Sequence, residues 1–278
     1  MYQYISGFSD EIASDIDVQF QVLNKLGIRY FEPRGINGKN ISELNDAEVA
    51  QLKGKMAEYG IQVSSIGSPI GKVQLAEDFA PHFKLFQRVV HIAKELGAKY
   101  IRIFSFFHEG GEWTADERTE VLSRLKKMIA YAEQQDVILL HENEKDIYGD
   151  IADRCHDLMQ ELACEHFKAV FDPANFVQCG EDTLRAYELM KDYVVYMHIK
   201  DAKAQNGSVV PAGMGDGHVR EILKQLFDGG YHGFLSLEPH LGSFEGLSGL
   251  ENGDLMKDLP EGGEGTFTLA FKALNELL

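Results

Sequence analysis

Residues Val137–Glu144 read VILLHENE, and this stretch decides how the chain folds and where its chemistry lies. Its four apolar residues run straight into His-Glu-Asn-Glu, with no turn residue between them. A buried strand that ends in two carboxylates and an imidazole is costly unless a positive charge lies at its end. We therefore expect this strand to deliver Glu142 to a metal ion or a substrate.

Three later segments repeat this plan, since each begins with apolar residues and ends in an acid, a histidine or both. They are KAVFDPAN (168–175), VVYMHIKD (194–201) and GFLSLEPH (233–240). The chain therefore reads as a set of strands that bring polar groups to one shared place.

Strand-like and helix-like segments alternate from one end of the chain to the other. The predicted strands are Tyr4–Phe8, Arg29–Arg34, Gln62–Ile66, Lys99–Phe106, Val137–Glu144, Ala169–Asp172, Val194–Lys200 and Phe234–Glu238. The predicted helices are Asp17–Leu26, Asp46–Tyr59, Pro81–Leu96, Ala115–Gln135, Ile151–Leu162, Asp182–Met190, Val219–Phe227 and Thr266–Leu277. Eight such units in 278 residues predict an α/β fold, the (β/α)8 TIM barrel. Because no linker interrupts them, we expect a single domain over residues 1–278.

Composition and charge narrow the class of protein. The chain is 44% hydrophobic and 26% charged, as in an ordinary globular protein, and its net charge of −17 disfavours a nucleic-acid partner. Its three cysteines show no CxxC spacing, which favours a reduced compartment. We see no signal peptide and no apolar run of membrane-spanning length, so we expect a cytoplasmic protein with no membrane partner.

The ends of the fifth to eighth predicted strands carry a set of metal-ligand side chains. Residues two apart on a strand share a face, and this parity selects Glu142, Asp172, His198 and Glu238 as inward-facing. One such residue alone is typical of an ion pair or a helix cap. Four at successive strand ends, three oxygen donors and one nitrogen donor, indicate a site for one divalent ion: Mn²⁺, Zn²⁺, Mg²⁺ or Co²⁺.

Two long loops follow the last two strands, Asp201–His218 and Leu241–Gly265. Loops of this length are commonly functional or mobile. The second carries apolar residues among glycines and acids, namely Phe244, Leu247, Leu250 and Met256. A lid, a contact with another subunit and an acidic insertion with neither role all agree with this pattern.

The segments HENE, FDPAN, MHIKD and LEPH, together with the eight units, resemble the xylose isomerase-like superfamily of sugar phosphate isomerases and epimerases. The resemblance covers essentially the whole chain. It implies that Glu142, Asp172, His198 and Glu238 bind the metal. It also implies a small-molecule sugar or polyol as substrate, with or without a phosphate, and a homo-oligomer, since relatives are commonly dimers or tetramers.

Two departures from the superfamily pattern bear on the substrate. Many relatives have a histidine three residues after the aspartate, where this chain has Asn175, which can hydrogen-bond a substrate but is a poor metal ligand. The Gly-Glu-Gly of many relatives is Gly213-Met214-Gly215 here, so an acidic contact with substrate is missing.

The resemblance also implies a mechanism. In ketose 3-epimerases of the superfamily the first and last glutamates, here Glu142 and Glu238, lie on opposite sides of the sugar, and one removes a proton that the other returns. With one base serving both carbons, the same site isomerises an aldose and a ketose through an enediolate. Inosose dehydratases eliminate water at a similar site. We therefore expect an isomerase or epimerase, with a dehydratase-type lyase or a non-catalytic sugar-binding barrel as alternatives.

Five further side chains are candidates for the site. Lys200 would either protonate a substrate oxygen or neutralise neighbouring acids. Arg102 would contact substrate or form an ion pair with Glu32. Lys72 and Arg34 would meet a substrate oxygen or phosphate, and Trp113 would either stack on a sugar face or cover the barrel top.

Two residues of VILLHENE have no predicted place in the site. Glu144 faces the same way as Glu142 with only Lys145 beside it as a partner, and His141 faces the helices and is interpreted as structural.

An endonuclease branch of the superfamily, which cuts DNA at abasic sites with three zinc ions, is disfavoured. Asp216 and His218 have the spacing of one of its ligand pairs. However, the second and third predicted strands end in Glu32-Pro-Arg34 and Gly67-Ser68, where that branch needs histidines. The acidic chain also lacks a basic groove for DNA.

Overall fold

The structure is a computed structural model that describes residues 2, 4–242 and 259–278. Its strands are β1 (Ile5–Gly7), β2 (Tyr30–Phe31), β3 (Gly35–Ile36), β4 (Lys39–Asn40), β5 (Gln62–Val63), β6 (Ile66–Gly67), β7 (Tyr100–Ile103), β8 (Ile138–Glu142), β9 (Phe167–Phe171), β10 (Val194–Ile199), β11 (Asp201–Ala202), β12 (Val209–Val210) and β13 (Phe234–Leu237). Its helices are α1 (Ile16–Leu26), α2 (Asp46–Tyr59), α3 (Phe79–Leu96), α4 (Ala115–Gln135), α5 (Ala152–Leu162), α6 (Pro173–Gln178), α7 (Thr183–Met190), α8 (Val219–Asp228) and α9 (Gly262–Leu277).

Parallel strands close into a barrel. Seven of them form one sheet in the order β1-β13-β10-β9-β8-β7-β6, while β2 pairs with β5. The third barrel strand is thus divided, because β5 pairs with β2 on one side and β6 with β7 on the other. The backbone N–H of Glu32 donates to the carbonyl of Gly7 over 2.9 Å and joins β2 to β1. The predicted (β/α)8 barrel is confirmed.

Local sequence sets the ends of the outer helices. Helices α1, α2 and α3 end at Gly27, Gly60 and Gly97, all with positive φ, a backbone conformation that glycine adopts without strain. Capping boxes open α2 at Asn45 and α4 at Thr114. The apolar faces of these helices pack on the strands in one continuous core.

The structure departs from the prediction around the last four strands. A six-residue helix, α6, directly follows β9, where we predicted no helix; Asp172 caps it and Pro173 occupies its first turn. The loop after β10 contains the β11–β12 ribbon. Helix α9 begins four residues before the predicted Thr266.

Most of the predicted 241–265 loop, including its four apolar residues, lies outside the described residues. Within the described ranges, no helix has both the length and the apolar character needed to cross a membrane.

Candidate metal centre

The four predicted ligands converge where β8, β9, β10 and β13 end. Glu142, Asp172, His198 and Glu238 each offer one ligand atom, and these atoms all lie within 4.8 Å of one another. All four side chains are buried. Because parallel strands place their carboxyl ends at the same edge, residues distant in sequence meet here.

Basic side chains neutralise the acids of this cluster. Lys200 Nζ lies 3.0 Å from Asp172 Oδ2 and 3.2 Å from Glu238 Oε2. Arg102 Nη1 lies 2.7 Å from Glu142 Oε2. The same glutamate's Oε1 lies 2.9 Å from His198 Nδ1, which is also 3.4 Å from Glu238 Oε2. Each acid of the cluster therefore contacts at least one basic group.

The pKa values of the cluster follow burial and these charges. Burial raises the pKa of Glu142, but His198 and Arg102 outweigh burial and bring it to about 2. Burial likewise opposes the effect of Lys200 on Glu238, whose pKa is lowered. At Asp172 burial prevails over Lys200 and raises the pKa to about 7. The two glutamates are therefore more fully ionised than Asp172 at neutral pH.

The residues present fit a divalent cation. Three carboxylates and one imidazole within 4.8 Å suit the oxygen- and nitrogen-binding ions Mn²⁺, Mg²⁺, Co²⁺ and Zn²⁺. Burial removes water that would otherwise solvate the acids, so a cation at their centre would offset their mutual repulsion.

A second layer orients His198. Glu32 Oε2 lies 3.3 Å from His198 Nε2, on the side away from the cluster, and accepts hydrogen bonds from Tyr196 Oη at 2.8 Å and Ser236 Oγ at 2.7 Å. A carboxylate on one ring nitrogen favours a proton there and leaves Nδ1 to the ligand position. The predicted ion pair of Arg102 with Glu32 is wrong: within the described residues, Arg102 pairs with Glu142 because β7 and β8 are neighbours.

Two asparagines connect the ends of β8 and β9. Asn143 Nδ2 donates to the carbonyl of Asp172 over 2.8 Å, and Asn143 Oδ1 accepts from the Asp172 N–H over 2.9 Å. Asn175, on α6, donates to the carbonyl of Asn143 over 2.8 Å and lies 3.4 Å from Glu142 Oε1. Asn175 lies beside the cluster, and its hydrogen bond to a substrate stays a prediction. The role of Asn143, the asparagine of HENE, was not predicted.

The prediction took Arg34 as a contact for a substrate oxygen or phosphate and missed the group of buried polar residues behind Glu238 to which Arg34 belongs. Arg34 Nη1 lies 3.5 Å and His240 Nε2 3.4 Å from Glu238 Oε1. The backbone N–H of His240, a residue with φ 45°, donates to Glu11 Oε2 over 2.8 Å. Arg34 also pairs with Asp10 at 2.8 Å. This group holds one oxygen of Glu238, while the other oxygen faces the cluster. In the sequence, the histidine that ends LEPH, His240, was the one sign of this group beside Glu238.

The remaining predicted residues, Lys72 and Trp113, contact other side chains of the protein. Lys72 Nζ pairs with Glu144 Oε2 at 2.9 Å, which corrects the prediction that Glu144 had only Lys145 as a partner. Trp113 stacks on His108 with ring centroids 3.9 Å apart, so its contact with a sugar stays a prediction.

The Asp216–His218 pair, whose spacing suggested metal ligands, makes other contacts. Asp216 accepts from the Ala204 N–H over 2.8 Å, and His218 Nδ1 lies 2.9 Å from the Thr183 hydroxyl.

His141 provides a pH-dependent prediction for stability. It is buried with Nε2 3.0 Å from Ser105 Oγ, and burial lowers its pKa from 6.5 to about 4. A lowered folded-state pKa means that the unfolded chain binds the proton first, so this contribution is present above pH 6.5 and is lost as pH falls towards 4. Between pH 7 and 5, His141→Gln should lose about 2 kcal/mol less unfolding free energy than the parent. Urea unfolding at both pH values measures this, and equal losses would contradict it.

Comparison with known proteins identifies the fold family. A family model described as a xylose isomerase-like TIM barrel matches residues 20–259. No curated protein matches the chain significantly.

Three solved structures show the same architecture. An L-ribulose 3-epimerase has a TM-score of 0.76 at 17% identity and covers 99% of this chain and 94% of its own. The IOLI protein with a bound zinc atom has a TM-score of 0.75 at 15% identity and covers 99% and 97%. The probable 3-DHS dehydratase AsbF of Bacillus anthracis has a TM-score of 0.75 at 15% identity and covers 98% of each. At these identities the likenesses establish the fold.

Proposed function

The chain belongs to the xylose isomerase-like TIM barrel family, and we propose that it is a metal-dependent isomerase or epimerase of a sugar or polyol. The observation that carries this proposal is the buried convergence of Glu142, Asp172, His198 and Glu238 within 4.8 Å. These four residues would hold the ion. When bound, a divalent cation polarises substrate oxygens and stabilises the negative charge that develops as a C–H bond breaks.

Glu142 and Glu238 are the candidate bases. Each has one oxygen held by an arginine, Arg102 or Arg34, and the other beside His198 in the cluster. Fixing one oxygen orients the other, which lowers the entropic cost of placing the carboxylate against a substrate carbon. One glutamate removes the proton to give an enediolate, and the other returns a proton on the opposite face. If one glutamate instead removes the proton from one carbon and returns it to the neighbouring carbon, the result is isomerisation.

Lys200 complements the two bases. Its ammonium group is buried beside Asp172 and Glu238, where it stabilises charge on a substrate oxygen. The L-ribulose 3-epimerase and the zinc-bound IOLI protein share this fold, which supports sugar chemistry with a metal.

A dehydratase is the second candidate. A buried ammonium beside the cluster also suits protonation of a hydroxyl as it leaves, and Lys200 provides one. The dehydratase AsbF has the same fold.

Incubation in D₂O with Mn²⁺ tests the proposal. The substrates are D-fructose, D-tagatose, L-ribulose and scyllo-inosose, analysed by NMR and mass spectrometry. Deuterium at carbon with an isomeric product supports an isomerase or epimerase, and loss of water supports the dehydratase. Metal binding without deuterium incorporation or product from any of the four substrates would favour the non-catalytic barrel.

The other expectations stay predictions: a single domain over residues 1–278, a cytoplasmic location, homo-oligomeric assembly and no nucleic-acid partner.

A further inference from the structure

We propose that the substrate is an uncharged sugar or polyol, and that Glu144 disfavours phosphorylated and other anionic sugars by neutralising Lys72. This inference rests on the proposed function and names its substrate class. It follows from where the chain's own carboxylates lie.

The cations that border the cluster are already paired with carboxylates of the chain. Arg102 is engaged by Glu142, and Lys200 by Asp172 and Glu238, as described above. Arg34 binds Asp10 through Nε at 2.8 Å and Nη2 at 3.2 Å. All three cations are buried, so a phosphate could bind them only by displacing a buried carboxylate, which would then be left as an unpaired buried charge.

Lys72 is more exposed than these three cations. Its side chain is 25% exposed, and Glu144, 2.9 Å away, is 14% exposed. Lys72 Nζ and Arg102 Cζ lie 4.4 and 4.6 Å from the centre of the same buried ring, that of Phe104. Lys72 is thus separated from the Arg102–Glu142 ion pair by no more than this ring, and Glu144 neutralises it.

The loop after β10 fills a second place where an anion would bind. In TIM barrels a phosphate commonly sits on the loops after the seventh and eighth strands. Here the N–H groups of Gly213, Gly215 and Gly217 donate to the carboxylate of Asp201 over 2.9, 3.0 and 2.8 Å. The Ala202 N–H is a fourth donor at 2.9 Å. A carboxylate of the chain thus occupies the backbone donors that would otherwise suit a phosphate.

The charge of the substrate decides which ligand this arrangement accepts. A phosphate group would add up to two negative charges beside Glu142 and Glu238 and would find these cations and donors engaged. Hydroxyl groups add no charge and need only single hydrogen bonds, which carboxylates and Asn175 accept or donate without being displaced. Glu144 therefore acts on specificity through repulsion of anions as well as through its hold on Lys72.

The test compares matched ligands on the Mn²⁺-loaded protein. Deuterium exchange and calorimetric binding are measured for D-fructose, D-tagatose and L-ribulose and for their terminal phosphate esters. We expect the parent protein to prefer the neutral member by at least roughly tenfold. Glu144→Gln should improve phosphate-ester binding by roughly tenfold, since one charge-assisted hydrogen bond to Lys72 becomes available. Glu188→Gln removes one surface charge paired with Lys191 and should leave the binding of the neutral sugar and of its phosphate ester unchanged.

The outcomes separate this inference from the proposed function. Preference of the parent for a phosphate ester, with exchange, overturns the inference and keeps the function. Equal gains in Glu144→Gln and Glu188→Gln would assign the effect to net charge and overturn the role of Glu144. Preferential binding of a neutral sugar without exchange or product supports the inference and removes the isomerase. If neither the neutral sugar nor its phosphate ester binds, for any of the three sugars, the inference and the proposed function are both overturned.

Discussion

Glu142→Gln is expected to lower the rate of deuterium incorporation and product formation by about a thousandfold. Glutamine keeps the size of the side chain but cannot take a proton from carbon. Its amide oxygen would still reach the cluster, so Mn²⁺ should bind, with lower affinity because one negative charge is lost. Initial rates by NMR in D₂O and calorimetric Mn²⁺ titration measure the two effects separately.

Glu238→Gln should stop product formation to a similar extent, and the pair of variants distinguishes the two glutamates. If Glu142 removes the proton and Glu238 returns it, Glu238→Gln still exchanges deuterium into unreacted substrate, whereas Glu142→Gln does not. Glu188→Gln serves as the control, because its side chain is 58% exposed and pairs with a surface charge, that of Lys191. Full activity in either Glu142→Gln or Glu238→Gln would refute the two-carboxylate mechanism.

The barrel and the ligand set were predictable because both depend on periodic, local patterns. Alternation along a strand specifies which side chains point inward, and this parity was enough to select Glu142, Asp172, His198 and Glu238 as one group. The helix ends at Gly27 and Gly60 were predictable for the same reason, since a left-handed residue at a helix end strongly favours glycine.

The partners of the ligands could not be predicted in the same way. Whether Arg102 reaches Glu32 or Glu142 depends on strand order and side-chain direction around the barrel, and β7 lies beside β8. Similarly, Lys72 and Glu144 are 72 positions apart and meet because their loops follow β6 and β8, the strands on either side of β7. Sequence parity gives the face of a residue but not its neighbour on the next loop.

Irregular segments were the other source of error. Helix α6 is too short for a helical period to stand out, and only Asp172 followed by Pro173 marked its start. The glycines at 213, 215 and 217 indicated a loop, yet their partner, Asp201, could not be identified because backbone donors leave no trace in side-chain composition. In the proposed site such loops would set specificity, while the strands supply the candidate metal ligands.

Addition of a divalent cation is expected to raise the melting temperature of the protein, and Asp172→Asn should abolish this rise. A metal at a hundred times its dissociation constant stabilises the folded state by about 2.7 kcal/mol, which for a chain of this size is roughly 5–10 °C. Asparagine can still cap α6, as Asp172 does through the Asn175 N–H at 3.0 Å, but it is a weaker ligand.

Without metal, the melting temperatures of Asp172→Asn and the parent should not show the advantage that the metal gives the parent. Burial raises the pKa of Asp172 to about 7 even beside Lys200, so the ionised form of Asp172 is costly without a metal ion. Asp172→Asn should therefore melt no lower than the metal-free parent. Asp228→Asn, which removes one exposed acid paired with Lys224, controls for net charge and should keep the full metal response. Differential scanning calorimetry with and without Mn²⁺, Mg²⁺, Co²⁺ or Zn²⁺ measures the shift, and a chelator should reverse it and abolish turnover. A parent protein whose melting temperature responds to none of the four ions would contradict the metal centre, because a bound cation should relieve the repulsion among three buried carboxylates within 4.8 Å of one another.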